Sequence, residues 1–124
     1  MLRQKVSTAA LALMTASLIA TTASAHPTLA STNPPANLST TTTPTEIRLN
    51  FTEGVIAKFS GVELKDQSGK AVATGTPVTD PKDKKQLVVP LPTPLLAGRY
   101  TVSWHAVSED THRVQGQYSF KVER

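Results

Sequence analysis

The sequence predicts an all-β domain, an antiparallel sandwich or barrel of about seven short strands. Several segments alternate between apolar and polar residues with a period of two, which is typical of half-buried strands. Turns that contain proline or glycine separate these segments, and no stretch after His26 has a convincing helical period. The chain has no cysteine. A compact apolar core must therefore hold the fold, and disulfides and thiolate metal sites are excluded.

The first half of the domain contains three recognisable units. A short strand near Leu29 precedes a turn-rich surface connection over residues 31–45. The segment "EIRLNF" places Ile47, Leu49 and Phe51 on one face of a strand. The segment "GVELKDQSGKAVAT" is typical of a hairpin that turns at "DQSG". "QLVVPLP" follows as a strand ended by prolines, which cannot donate to a ladder.

The last two strands are predicted most clearly, in "RYTVSWHAV" and "QYSFKV". Alternation predicts one core-facing set of side chains on this pair: Tyr100, Val102, Trp104, Tyr118, Phe120 and Val122. Between the two strands lies the connection "SEDTHRVQG", residues 108–116.

Residues 1–25 have the pattern of a cleaved secretory signal peptide. Arg3 and Lys5 precede an apolar run, and Ala23-Ser24-Ala25 forms a small-x-small cleavage site. The run is too short, and too rich in alanine and threonine, to span a bilayer comfortably. A retained amphipathic helix is the alternative. We predict an exported protein that is not embedded in a membrane, with one domain over residues 26–124.

The charge of this domain gives no sign of a nucleic-acid partner. Removal of Arg3 and Lys5 lowers the formal net charge from +4 to +2. The one basic cluster, Lys82, Lys84 and Lys85, has no aromatic neighbour, whereas nucleic-acid and membrane surfaces favour basic faces with interleaved aromatic residues. We therefore predict a solvated loop there.

Cleavage after Ala25 would make His26 the first residue of the protein. The α-amine and the imidazole Nδ1 atom of an N-terminal histidine can close a six-membered chelate ring on one metal ion. Pro27 has no backbone N–H, so chelation by the N-terminus stops at these two nitrogens. The alternative is that cleavage simply leaves a histidine at this position.

Asp110 and His112 can supply the ligands that His26 lacks. In an extended segment, residues two apart point to the same side, so both side chains can reach one point. Together the three residues offer three nitrogens and one carboxylate oxygen, a set that suits Cu(II) in a tetragonal plane. Zn(II) would accept the same donors with a tetrahedral rearrangement. The alternative for Asp-x-His is a turn aspartate that caps its own backbone beside an exposed histidine.

The remaining candidate metal ligands in the sequence are weaker. His105, the third histidine, follows Trp104 on the polar side of its strand and is interpreted as a surface or cross-strand residue. Both methionines, Met1 and Met14, lie in the predicted signal peptide. Because Cu(I) sites in proteins use soft methionine and cysteine ligands, a Cu(I) site is not expected.

These features together resemble the CopC family of periplasmic copper-binding, copper-resistance proteins. The resemblance is carried by "AHPTLASTNPPANLS", by "IRLNFTEGV" and, most specifically, by "AGRYTVSWHAVSEDTHRVQGQYSFKV". It implies an immunoglobulin-like, Greek-key β-sandwich or barrel. It also implies a Cu(II) site formed by His26, Asp110 and His112. Glu53 matches a glutamate near that site in some members.

The chain departs from the family's two-site pattern. Members that bind both oxidation states have a methionine-rich loop, where this chain has "DQSGKAVATGTPVTDPKDKK". Many members of the family have an arginine at the position that His105 occupies in this chain. We therefore expect a Cu(II)-only member that holds one Cu(II) per chain, acts as a monomer and is not an enzyme. It would sequester copper or deliver it to an inner-membrane copper transporter or a periplasmic copper protein.

Two other functions fit parts of the pattern. Copper monooxygenases also use an N-terminal histidine to bind copper, but they need a coordination position left open for oxygen and redox cycling to Cu(I). In this chain Asp110 would close the plane, and no soft donor supports the reduced ion. An immunoglobulin-like adhesion module would make His26 and Asp110-x-His112 a coincidence.

Overall fold

The computed structural model describes residues 26–123, so the predicted signal peptide lies outside the described part of the chain. The described residues form an all-β sandwich of two sheets, as predicted. Its nine strands, with one 3-10 turn at Ala57–Phe59 between β3 and β4, are β1 (Leu29–Asn33), β2 (Ser39–Thr40), β3 (Glu46–Phe51), β4 (Gly61–Asp66), β5 (Ala71–Val72), β6 (Val78–Asp80), β7 (Asp83–Pro90), β8 (Gly98–Val107) and β9 (Arg113–Val122).

The strands are distributed over a four-stranded sheet, in the order β1-β3-β7-β6, and a five-stranded sheet, in the order β2-β9-β8-β4-β5. Strand β2 runs parallel to β9, and every other described pair is antiparallel. Neighbours that are far apart in the chain, such as β2 beside β9, are typical of Greek-key connections. The β8–β9 ladder is the longest and pairs Gly98 with Val122 at one end and Val107 with Arg113 at the other.

The core lies between the two sheets and follows the predicted alternation. In β3, Ile47, Leu49 and Phe51 are buried, while the residues between them are half-buried. The predicted core residues of the last two strands are buried as expected, except for one. Trp104 is only half-buried: its indole packs edge-on against Phe51, with ring centroids 5.4 Å apart.

Two short strands were not predicted from the sequence. Strand β2 lies inside the predicted surface connection over residues 31–45, and β6 lies in a segment assigned to no element. Strands β2 and β5 have two residues each, and the other seven have three or more. Among residues 26–123, no helix is long and apolar enough to cross a membrane.

Candidate metal centre

The β8–β9 connection is a tight loop closed by its own backbone. The backbone N–H of Ser108 donates to the carbonyl of His112 over 2.9 Å, and the N–H of Thr111 donates to the carbonyl of Ser108 over 2.9 Å. Thr111 has a φ angle of 71°, in the left-handed region that such a reversal requires. The loop therefore presents its middle residues outward in a defined direction.

Ser108 fixes this loop from the inside. Only 2% of Ser108 is exposed, and its Oγ atom accepts the backbone N–H of His112 over 3.2 Å. Its hydroxyl also donates a short hydrogen bond to Oδ1 of Asp110. A buried hydroxyl thus holds the carboxylate of Asp110 and the backbone of His112. Sequence reasoning missed Ser108, because a serine in a polar loop carries no signal of its own.

The loop is attached to the opposite sheet through the segment after β3. Val55 forms an isolated antiparallel bridge with Ser108, and the N–H of Glu109 donates to the carbonyl of Gly54 over 3.1 Å. The Glu109 carboxylate lies 3.7 Å from Nζ of Lys84, in an exposed ion pair. The basic cluster is exposed as predicted, but the prediction of a loop is wrong for Lys84 and Lys85, which lie in strand β7. The position of Lys84 beside the β8–β9 loop was not indicated by the sequence.

Asp110 and His112 face each other, as their spacing predicts. Nδ1 of His112 lies 3.1 Å from Oδ2 of Asp110, and 44% and 47% of their side chains are exposed. The hydrogen bond from Ser108, and then that from His112, lower the pKa of the Asp110 carboxyl below its ordinary value. Asp110 is therefore an anion well below neutral pH.

His26 reaches this pair from the other end of the chain. Its imidazole packs edge-on against that of His112, with ring centroids 4.9 Å apart and an interplanar angle of 62°. Two backbone contacts hold the segment after it: the N–H of Thr28 donates to Oγ1 of Thr52 over 3.0 Å, and the N–H of Thr52 donates to the carbonyl of Thr28 over 2.9 Å. Pro27, which lies between His26 and Thr28 in the chain, is buried.

The three predicted ligands are thus neighbours, but their donor atoms do not yet converge. Within residues 26–123, no three His, Cys, Asp or Glu side chains are gathered as around a metal ion. The side chain of Glu53 forms no hydrogen bond or ion pair with any described residue. His105 lies elsewhere: its ring lies across Gly61 of β4, and a Cβ on that glycine would be 3.4 Å from its Cε1.

Comparison with known proteins places the chain in a family. The model of the CopC domain matches residues 29–123. Protein YobA of Escherichia coli strain K12 is 41% identical over 113 residues, which are 91% of each chain. Copper resistance protein C of Pseudomonas syringae pv. tomato is 37% identical over 93 residues, covering 71% of this chain and 74% of that protein.

Solved structures agree with this assignment. The crystal structure of CopC from Methylosinus trichosporium OB3b superposes with a TM-score of 0.73 at 28% identity, covering 79% of this chain and 94% of that one. PcoC from Escherichia coli, described as a methionine-rich copper resistance protein, superposes with a TM-score of 0.71 at 39% identity, covering 80% of this chain and all of that one. The matched residues include both sheets and the β8–β9 loop, and the chain belongs to the CopC family.

Proposed function

We propose that this protein binds one Cu(II) ion in the periplasm and serves copper resistance, by sequestering the ion or by delivering it. The ligands are the imidazole and α-amine of His26, freed by cleavage after Ala25, together with Asp110 and His112. Membership of the CopC family and the likeness to proteins named copper resistance protein C support a role in copper resistance.

One observation carries the proposed site. His26 and His112 lie at opposite ends of the domain sequence, yet their rings are in contact, and Asp110 is hydrogen-bonded to His112. A turn aspartate that serves only its own loop would need no second imidazole from the N-terminus. The contact between the two histidines therefore favours the ligand interpretation over a coincidence of spacing.

The donor set suits Cu(II). Imidazole and amine nitrogens with one carboxylate are ligands of the borderline type that Cu(II) prefers, and Cu(II) leads the affinity order of the divalent first-row metals. One carboxylate beside a divalent ion leaves a net charge of +1 at the site. Because the site is exposed to water, this charge can be solvated. Within residues 26–123 there is no methionine or cysteine, so soft ligands for Cu(I) are lacking there.

The hydrogen bond between Asp110 and His112 bears on which nitrogen binds. A neutral His112 that donates from Nδ1 to Asp110 carries its free lone pair on Nε2. Histidine ligands in metalloproteins commonly donate their other ring nitrogen to a carboxylate, which orients the ring. Binding of Asp110 to the metal requires its carboxylate to turn from His112, and both side chains are exposed enough to rotate.

The sharpest test of this site adds one residue before His26. The added residue converts the chelating amine into an amide, so Cu(II) affinity should fall by orders of magnitude while circular dichroism stays unchanged. Adding one residue after Arg124 is the matched control and should leave affinity intact. Isothermal titration with a competing Cu(II) chelator measures both. Equal affinity in the two extended forms would exclude the amine as a ligand.

The oxidation state is tested separately. We expect one tight Cu(II) equivalent and no tight Cu(I) equivalent, with ascorbate releasing the metal, because soft donors are missing. Anaerobic competition against a Cu(I) chelator measures this. A second equivalent specific for Cu(I) would contradict the expectation.

A further inference from the structure

Strand β9 has an open edge beside the candidate metal centre. On one side β9 pairs with β8 along its whole length. On the other side β2 covers only its far end, through the pairs Ser39 with Lys121 and Thr40 with Val122. Among residues 26–123, no strand lies beside residues 113–117, which follow His112 directly, on this side.

The ladder determines which backbone groups this edge presents. Toward β2, the carbonyl of Ser119 accepts from Asn37, and the N–H groups of Lys121 and Glu123 donate to Leu38 and Thr40. Since the N–H and C=O of successive strand residues point to alternate sides, the odd-numbered residues of β9 face away from β8. Arg113, Gln115 and Gln117 have the same parity and are exposed, so they offer three N–H and three C=O groups to solvent.

The open edge has defined ends. At one end the chain of Asn37 and Leu38 crosses to its hydrogen bonds with β9. At the other end β9 gives way to the loop that contains Asp110 and His112. A segment of about five residues fits between them, since a strand advances about 3.3 Å per residue.

Side chains along the edge select what can be added. On the outer face lie Arg113, Gln115 and Gln117, and Arg113 forms no ion pair with any described residue. On the inner face, the indole of Trp104 lies over Gly116: a Cβ on that glycine would be 2.6 Å from Cζ2 of Trp104. An added strand would therefore favour acidic or polar side chains outward and apolar side chains inward.

We propose that the open edge of β9 is a docking site for an extended acidic segment of a partner protein, which adds as an antiparallel strand beside the metal centre. Backbone hydrogen bonds hold the segment, and alternate side chains give specificity, as in other cases of strand addition. Exposed edges are prone to such pairing, and natural sheets usually cover or charge them.

A second copy of this chain fits the edge less well. In the antiparallel register centred on Gln115, residues 119–122 of the copy would lie opposite residues 108–111. The copy's own β2 and Asn37–Leu38 segment, which cover that part of its β9, would then meet the β8–β9 loop. A free extended segment has no such obstruction.

Docking itself does not require copper. The role that it would have in copper delivery does rest on the proposed function, because the added segment would lie beside His112. Such a segment would bring its own side chains within reach of the bound ion, as a copper acceptor must.

The probe is a capped pentapeptide, acetyl-Asp-Val-Asp-Val-Asp-amide, added to the protein without metal. Its acetyl group removes the amine as a ligand. We expect amide chemical-shift changes at Arg113, Gln115 and Gln117 and a change in fluorescence of Trp104, the single tryptophan. The basic peptide acetyl-Lys-Val-Lys-Val-Lys-amide should bind more weakly.

Two substitutions separate backbone from side-chain effects. Gln115→Pro removes one edge N–H, on the side where proline is tolerated, and should weaken binding at least about fivefold, the equivalent of one hydrogen bond. Gln115→Ala keeps the N–H and should bind like the parent. Arg113→Gln should reduce the preference for the acidic peptide by about two- to fivefold, as expected for an exposed ion pair.

The peptide provides a control that leaves the protein unaltered. N-methylation of its third residue removes the donor that faces Gln115 and should abolish binding. Equal binding of the methylated peptide, or absence of shifts along residues 113–117, overturns the proposal. Shifts at this edge that grow with protein concentration alone would assign it to a second copy and also overturn it.

The two proposals fail independently. Peptide shifts without Cu(II) binding would leave the docking site standing and remove the proposed function. Cu(II) binding without peptide shifts would do the opposite.

Discussion

The hairpin turn after β4 and the loop after β8 each contain an aspartate, and the two use it differently. Oδ1 of Asp66 accepts the backbone N–H groups of Ser68, over 2.9 Å, and of Lys70, over 3.0 Å, and also the Ser68 hydroxyl. The Asp110 carboxylate accepts mainly from side chains, those of Ser108 and His112. One carboxylate closes its own turn, and the other is aimed at a neighbouring imidazole.

The other two aspartates also accept a backbone N–H of their own turn, although Asp80 in addition accepts from Nη1 of Arg48 over 2.8 Å and Asp83 from Nε2 of Gln86 over 3.4 Å. Asp80 accepts the N–H of Lys82 over 2.8 Å, and Asp83 accepts the N–H of Lys85 over 3.0 Å, as in ordinary Asx turns. In the loop of Asp110, the N–H of His112 donates to Ser108 Oγ, which takes over the role of the turn-capping acceptor. A serine caps the turn, and the aspartate is left available for another partner.

The largest expected effect comes from removing the imidazole that Asp110 faces. His112→Phe should lower Cu(II) affinity more than about a hundredfold, because even residues behind the ligands commonly change metal affinity about 10–100-fold. His105→Phe, on the same hairpin, is the matched control and should leave affinity unchanged. Chelator competition measures both variants. Similar losses in the two would mean that the effect is structural.

A smaller effect is expected from the two aspartates, and it tests the comparison directly. Asp110→Asn should lower Cu(II) affinity about 10–100-fold and change the Cu(II) electron paramagnetic resonance spectrum. Asp66→Asn should destabilise its turn and leave Cu(II) binding unchanged. A spectrum unaltered in Asp110→Asn, with reduced affinity, would make Asp110 an orienting partner of His112 rather than a ligand. An unaltered affinity would make this loop only a turn.

The smallest effect is expected from Ser108→Ala. The Ser108 hydroxyl is the largest cause of the lowered pKa of Asp110, so its removal should raise that pKa toward the ordinary value near 3.9. Protons then compete for the carboxylate at a higher pH, and acid should release copper from the variant at a higher pH than from the parent. The substitution leaves the other proposed ligands unchanged, so the difference should appear at the acid end of the titration, where the Asp110 carboxyl takes up its proton. A pH titration of Cu(II) absorbance measures it; release at a lower pH would contradict the role of Ser108.

Most of the fold could be predicted because its strands are half-buried. The alternation in "EIRLNF" matches β3 residue for residue, since each second side chain enters the core. Strand β6 was missed because three residues next to prolines leave no period to detect. Trp104 was predicted in the core, yet it lies at the margin, where Gly116 on the neighbouring strand leaves its ring space. The pairing of Trp104 with Gly116 cannot be predicted until the register of β8 and β9 is known.

The candidate site was predictable only in its ligands. Histidine and aspartate are candidate metal ligands wherever they occur, so His26, Asp110 and His112 could be named from the sequence. The contacts that orient these side chains come from residues that are not candidate ligands themselves. Ser108 and the Gly54–Val55 segment acquire their roles only when the loop folds against the other sheet.

The position of His26 has a mechanical consequence. The segment that carries it leads into β1 of the four-stranded sheet, whereas His112 leads into β9 of the five-stranded sheet. A metal ion bound by both His26 and His112 would link the two sheets. It would also close a loop of nearly the whole described chain. Cross-links that close long loops restrict the unfolded chain most, and ligands held only by the native state add stability as their concentration rises. In a protein without cysteine, copper would then take the place of a disulfide.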